Sequence, residues 1–499
     1  MTPSRRPQKH EPIIIVGSGI FGLSTALHLA RRGYRNITVF DRQPCDELQY
    51  SYLNGADGAS ADMNKIVRSA YGGQTEYQTL STEAIAGWKQ WNEELATGVT
   101  TPSGMSGSDR VFVPNGNLSL STQAELPPWE VACIKGMQDA GHHDKMLNTT
   151  DPAHWDIARS MGMAFAMDPF QRQQRNKPNV GVLDTTGGMA VADKACRFAL
   201  HKAKLLGVKF VFGPEKGHLE SLCFQTKGQV SGIKTRDGET HPAAMTIVAC
   251  GGWTPVLIPQ LDGLCEATAG SVALLKIPRN SDLWARFHPD SFPTWTWNIR
   301  DGAEGGLYGF PIDENGWLKI GYRGTKYTNP VKHSDGKERS TPATRWSPAR
   351  RDGQKAVGEK LTDFPKQAHT VIERFLDEYL PELSEQGIGI SKTRICWYTD
   401  TYDNHFLVDH VPEMQGLMVA TGGSGHAFKY LPNIGNWVAD IMEGEDLTRP
   451  AVRAWRWRQP SRANPVLNDL MTGSGGERAL GNIPLVKESQ LGQVSVARL

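Results

Sequence analysis

No two cysteines of this chain stand close enough in sequence to form a redox pair or a zinc knuckle. The seven lie at 45, 133, 196, 223, 250, 265 and 396, and the nearest two are fifteen residues apart, which excludes CxxC chemistry and a structural zinc site; no metal is expected. Their odd number, with no long apolar leader after Met1, leads us to expect a reducing compartment. No apolar run approaches the roughly 18 residues that cross a bilayer, and Ile13 to Val16 is far too short; a soluble protein is expected. Excess charge is also missing. Against 53 Asp and Glu stand 54 Lys and Arg, a formal charge of +1, so no global field draws the chain to nucleic acid or a membrane surface. What is present is 499 residues, 39% hydrophobic, with 14 tryptophans and 52 glycines, enough for two or three domains and a large core.

The first chemistry appears at the amino terminus. Ile13 to Val16 reads as a buried parallel-type strand running into Gly17-Ser-Gly19-Ile20-Phe21-Gly22. Leu23, Ala26, Leu27 and Ala30 then recur with helical spacing, and Ile37 to Phe40 predicts a second strand ending at Asp41. In such a unit Gly17 allows the tight turn, Gly19 admits a pyrophosphate to the backbone and Gly22 lets the helix approach the strand. The helix dipole faces the phosphates, and Asp41 is placed to accept hydrogen bonds from a ribose. Ile20, Phe21, Arg42 and Ser60 are counted with these cofactor contacts. The unit predicts a bound ADP moiety and leaves NAD and FAD open.

Later segments are of two textures. Residues 60–72 place Lys65 and Arg68 three apart, on one face if helical, where two cations could clamp a carboxylate or simply face water. Gly187 and Gly188 precede a predicted helix from Ala192 to Ala203, followed by a strand over 208–212. Thr246 to Cys250 predicts another buried strand, running into Gly251 and Gly252. Segments 97–165 and 265–390, with runs such as 292–299 and 307–310, suggest an antiparallel sheet domain. Residues 326–355 carry eight Lys or Arg and read as an exposed loop. After the strand 417–420, Gly422, Gly423 and Gly425 are expected to start a helix whose amides suit an anion or an electron-rich ring, with His426 and Lys429 close by.

Read together, GSGIFG, SADMNKIVRSAYG, ACGGWTP, LYGFP with LKIGYRG, CWYTDT and TGGSGHAFKYLP resemble the flavin-dependent amine oxidases of the sarcosine oxidase family, within the D-amino acid oxidase superfamily. The likeness is closest to the fungal amadoriase and saccharopine oxidase branch. It implies an α/β fold: a Rossmann-like FAD-binding domain from 1–96, 166–264 and 391–499, and an α+β substrate domain from 97–165 and 265–390 with a mixed, largely antiparallel sheet. By the same resemblance the cofactor is FAD, bonded through Cys396. Lys319 is the lysine that activates oxygen, and Arg68 and Lys429 grip a substrate carboxylate. Tyr308 and Tyr398 line the substrate cavity. Lys65 follows the amadoriase pattern, whereas Ala61 and Arg323 stand where sarcosine oxidases carry histidine, which points away from a small N-methylglycine pocket and toward a larger or acidic substrate.

The resemblance implies an oxidase of a secondary amine: an N-methyl amino acid, saccharopine, pipecolate, a fructosyl amino acid or a fungal biosynthetic intermediate. An imine and hydrogen peroxide are the expected products, and a monomer the expected state. Ala497-Arg498-Leu499 is similar to a peroxisomal address, with the cytoplasm as the alternative. The rivals are a flavin dehydrogenase that delivers electrons to another acceptor and a non-catalytic nucleotide-binding redox sensor.

Overall fold

The computed structural model describes residues 6–344, 363–462 and 464–491. A six-stranded sheet carries the amino-terminal unit, in the order Leu407–His410, Leu417–Thr421, Met245–Val248, Ile13–Val16, Ile37–Asp41, Lys209–Phe212. All neighbours run parallel except the outer pair Leu407–His410 and Leu417–Thr421. Ile13–Val16 sits inside this sheet and is buried at every position, which is why four consecutive β-branched residues replace an alternating pattern. The helix Ile20–Arg31 buries Leu23, Ala26 and Leu27, as its periodicity predicts. Ala192–Leu205 forms the second predicted helix, again with its apolar stripe inward.

The second sheet has eight strands in the order Ile390–Thr401, Cys265–Lys276, Trp317–Tyr327, Leu307–Gly309, Thr294–Trp297, Asn117–Ser121, Val180–Asp184, Met146–Asn148. Every pairing is antiparallel except Thr294–Trp297 with Asn117–Ser121. The mixed, largely antiparallel substrate sheet is therefore present beside the Rossmann-like one. Two of its strands, Val180–Asp184 and Ile390–Thr401, come from segments that the sequence boundaries put with the nucleotide-binding part. The helix Lys366–Tyr379 covers one face: Phe375 stacks on Trp295 with centroids 4.6 Å apart, and Phe170 meets both rings edge-on. Burying each such aromatic contributes about 1.5–3 kcal/mol.

Three local expectations change. Residues 64–67 are not helical: Asn64–Val67 is a strand paired antiparallel with Gly188–Val191, so the three-residue spacing of Lys65 and Arg68 no longer means a shared helical face. Gly422, Gly423 and Gly425 form a turn rather than a helix start, with Gly422 and Gly425 at positive φ, and the next α-helix begins only at Ile434. The basic segment is not one loop. It opens in the strand Trp317–Tyr327, continues as a hairpin of Pro330–Lys332 with Glu338–Ser340, and from 345 lies outside the described residues.

Two connections hold the sheets in register around the space between them. Ser424 N–H donates to Thr399 O at 2.8 Å and Thr401 N–H donates to Ser424 Oγ at 3.2 Å, which ties the glycine turn to the twelve-residue strand that carries Cys396 and Tyr398. Arg394, on the same strand, donates to Ala61 O at 2.6 Å and Gly58 O at 2.8 Å. Among the described residues no helix is long and apolar enough to cross a membrane.

Candidate active site

Between the two sheets lies one continuous cavity of about 740 Å³. One end is walled by Gly17, Gly19, Ile20, Phe21, Asp41, Arg42 and Ser60, and the other by Arg68, Tyr308, Arg323, Tyr398 and Lys429, with Lys65 and Cys396 between them. Gly423, Gly425 and His426 also face it. Apart from Gly22 and Lys319, every predicted site residue lines this one space.

At the amino-terminal end the chain leaves room that no side chain could share. A Cβ on Gly17 would fall 2.5 Å from Ala249 O, and one on Gly22 only 1.8 Å from Gly17 O. Gly22 thus serves helix packing, as predicted, without facing the cavity. Asp41 sits at the end of its strand as expected, but its carboxylate is already engaged: Ser18 donates to Oδ2 through N at 2.8 Å and through Oγ at 2.9 Å, and Gln43 N donates to Oδ1 at 2.9 Å. Its spare lone pairs remain for a ribose. Ser60 Oγ accepts from Ile20 N at 3.0 Å, so one helix amide is satisfied from within. Arg42 stacks over Trp253 at 4.6 Å, and its buried Nη2 has no hydrogen-bond partner among the described residues. A glycine cradle, a carboxylate at the strand end and a guanidinium stacked beside an indole suit an adenine dinucleotide.

Midway along the cavity a buried carboxylate gathers three cations. Asp62 Oδ2 accepts from Lys65 Nζ at 2.6 Å and from Lys319 Nζ at 2.7 Å, while Arg394 stands 3.8 Å from Oδ1. Burial alone would raise the Asp62 carboxyl, but Lys319, Lys65 and Arg394 outweigh it and hold it far below the usual carboxylate range. Lys319 is fully buried and set back from the open cavity; its other partner is Asn64 O at 2.9 Å. Burial pushes its amine down to about 8, the pull of Asp62 offsetting only part of that cost. Sequence alone does not reveal Asp62: an acidic residue between Ala61 and Met63 carries no periodic signal.

Beyond Cys396 the cavity becomes cationic. Lys429 Nζ donates to Tyr71 OH at 2.7 Å and His426 O at 2.8 Å, and the Arg68 guanidinium lies 4.7 Å from the centre of the Tyr71 ring. His426 is tied by Nδ1 to Tyr71 OH at 3.0 Å and by Nε2 to Asn404 O at 3.1 Å. Burial, then the charges of Arg68 and Arg323, holds the Lys429 amine well below its ordinary range. Burial, then Lys429, keeps His426 neutral. Burial raises the phenol of Tyr308 to about 12 and that of Tyr398 well above its ordinary value, so both stay protonated donors; the Tyr398 hydroxyl is buried without a partner among the described residues. Among the described residues, no carboxylate pairs with Arg68, Arg300, Arg323 or Lys429. Four basic side chains with no directly paired carboxylate around one space form a receptor for anionic groups. No group of three or more described His, Cys, Asp or Glu residues could hold a metal ion.

Residues 12–441 match the family described as FAD dependent oxidoreductase. Among curated proteins, the L-saccharopine oxidase of Schizosaccharomyces pombe is 27% identical over 472 residues, covering 91% of this chain and 94% of that protein. A monomeric sarcosine oxidase of Bacillus sp. is 23% identical, covering 87% and 92%. Among solved structures, the fructosamine oxidase Amadoriase II of Aspergillus fumigatus superposes with a TM-score of 0.70 at 26% identity, covering 96% of this chain and 98% of that one.

Proposed function

The chain belongs to the FAD dependent oxidoreductase family, and from that premise we propose that it oxidises the secondary amine of an N-substituted amino acid and delivers the electrons to oxygen. The observation that carries this reading is the unbroken cavity from the glycine cradle, past Cys396, to basic side chains without carboxylate partners among the described residues. The relatives support it, being oxidases of saccharopine, sarcosine and fructosamine by name.

When bound, FAD supplies a two-electron acceptor for a C–H bond beside nitrogen and returns those electrons to oxygen as peroxide. The protein does the rest. Its cradle grips the nucleotide, and Cys396, facing the cavity from the middle of its strand, would tether the isoalloxazine as a thioether. Arg68 and Lys429 hold the substrate carboxylate. Burial and the neighbouring charges lower the Lys429 amine, and a bound carboxylate would shift it back upward. The surrounding cations favour the neutral form of the substrate amine, which is the form that gives up hydride. No side-chain base is required: the imidazole of His426, the neutral histidine facing the chamber, is already bonded at both nitrogens. Tyr308 and Tyr398 orient the substrate as donors. Lys319, charged below about pH 8, contributes positive charge where oxygen gains negative charge.

The experiment mixes yellow holoprotein with N-alkyl amino acids in the absence of oxygen. Bleaching is expected, followed on admission of air by recovery of colour and one hydrogen peroxide per amine oxidised. Recovery only with an added carrier, and no peroxide, would replace this reading by a dehydrogenase. We also propose a monomer addressed to peroxisomes, where peroxide is disposed of; its address, Ala497-Arg498-Leu499, lies outside the described residues.

A further inference from the structure

The grip of Arg68 and Lys429 leaves part of the chamber wall unexplained. Glu130, in the first turn of the helix Pro128–Asp139, faces the same cavity and is only 7% exposed. Its Oε1 accepts from Ser119 Oγ at 2.9 Å, but its Oε2 is buried with no donor among the described residues. Two residues before Ser119 on the same strand, Asn117 also lines the cavity, with its Oδ1 likewise lacking a donor among the described residues. The spacing of two puts both side chains on one face of the sheet, and Thr296, opposite Ser119 on the parallel strand, completes that face. Buried acceptors left empty are costly unless a ligand brings donors to them.

A cation stands beside this acidic patch. Arg300 lines the cavity and stacks its guanidinium 3.8 Å from the centre of the Trp129 ring, the residue that precedes Glu130. It forms no ion pair with Glu130 or any other described carboxylate. The patch therefore offers two separate contacts: acceptors in the wall, on the strand Asn117–Ser121 and the helix Pro128–Asp139, and a planar donor at its edge, in the turn that carries Arg300.

We propose that this patch is a second binding point for the far end of the substrate: Glu130 and Asn117 accept from a primary ammonium, and Arg300 takes a carboxylate. The substrate then joins two amino-acid-like ends through its secondary amine, one end gripped by Arg68 and Lys429 and the other by this patch. The inference rests on the amine-oxidase reading above and narrows its substrate class. A purely apolar N-substituent would bring no donor to Glu130 Oε2 or Asn117 Oδ1.

Three probes share one reacting end: N-pentyl-L-alanine, N-(5-aminopentyl)-L-alanine and Nε-(1-carboxyethyl)-L-lysine. Anaerobic stopped-flow bleaching of the holoprotein, titrated with each, returns a dissociation constant and a limiting rate separately. The two-headed probe is expected to bind about a hundredfold more tightly than the pentyl probe, with the aminopentyl probe between them. Glu130→Gln should shrink that ratio to about fivefold or less. Arg300→Met, on an exposed side chain, should remove only the step between the aminopentyl and two-headed probes. Equal dissociation constants for the three probes, or a ratio unchanged in both variants, would overturn the second binding point. Tight, ranked binding without bleaching would instead overturn the amine-oxidase reading and leave the binding point standing.

Discussion

Replacing Asp62 by alanine is expected to destabilise the folded protein by about 3–5 kcal/mol, the cost of removing one partner from a buried charge cluster. The size follows from what would be left. Among the described residues, Lys319 is fully buried and would keep only Asn64 O, Lys65 would lose its one paired carboxylate, and Arg394 would retain Ala61 O, Gly58 O and the Asp57 carboxylate 3.7 Å away. Asp62→Asn preserves shape but not charge and should fall close to the alanine variant, which separates electrostatics from packing. Urea unfolding followed by tryptophan fluorescence checks this through the midpoint at unchanged slope. A change within about 0.5 kcal/mol, the range of ordinary surface substitutions, would show that the two lysines do not depend on Asp62.

Lys319→Met is expected to slow reoxidation of the reduced flavin by oxygen by about 10²- to 10³-fold, the effect of deleting one preorganised charge from a water-excluded site, while bleaching by substrate changes much less. The pH dependence sharpens the test. With its amine pushed down to about 8, Lys319 is charged below that pH and neutral above it, so reoxidation in the native protein should fall as pH rises through about 8. The methionine variant should lack that limb. In Asp62→Asn the carboxylate no longer raises the Lys319 amine, so the limb should move to lower pH. Double-mixing stopped-flow measures each rate directly. Reoxidation as fast in the methionine variant as in the native protein would remove oxygen activation from Lys319.

How much of this was legible in the sequence depends on whether the signal is periodic. The strand Ile13–Val16, the helix Ile20–Arg31 and the helix Ala192–Leu205 repeat at the period of their own burial, so pattern alone finds them. The segment from Asn64 to Val67 misleads because Lys65 and Arg68 fit a helical spacing, while pairing with Gly188–Val191 makes it a strand; long-range pairing overrides local preference. The turn at Gly422 to Gly425 misleads for a related reason: positive φ at Gly422, Ser424 and Gly425 belongs to a turn, and glycine count does not distinguish that from a helix start. Cys396, Lys319 and Lys429 are identified by motif resemblance rather than by spacing. Asp62, Glu130 and Arg300 belong to neither class, because their meaning lies in contacts across the fold: Asp62 to Lys319 over 257 residues, and Glu130 beside Arg300.

All of these roles suppose an isoalloxazine held at Cys396, between the glycine cradle and the cationic chamber. Acid precipitation of the purified protein, followed by proteolysis and mass spectrometry of the pellet, tests that most directly. Flavin should remain with the precipitate and be found on the peptide that contains Cys396, and Cys396→Ala should release it to the supernatant. Flavin freed from the native protein by acid, or bonded to a peptide from another part of the chain, would contradict the account.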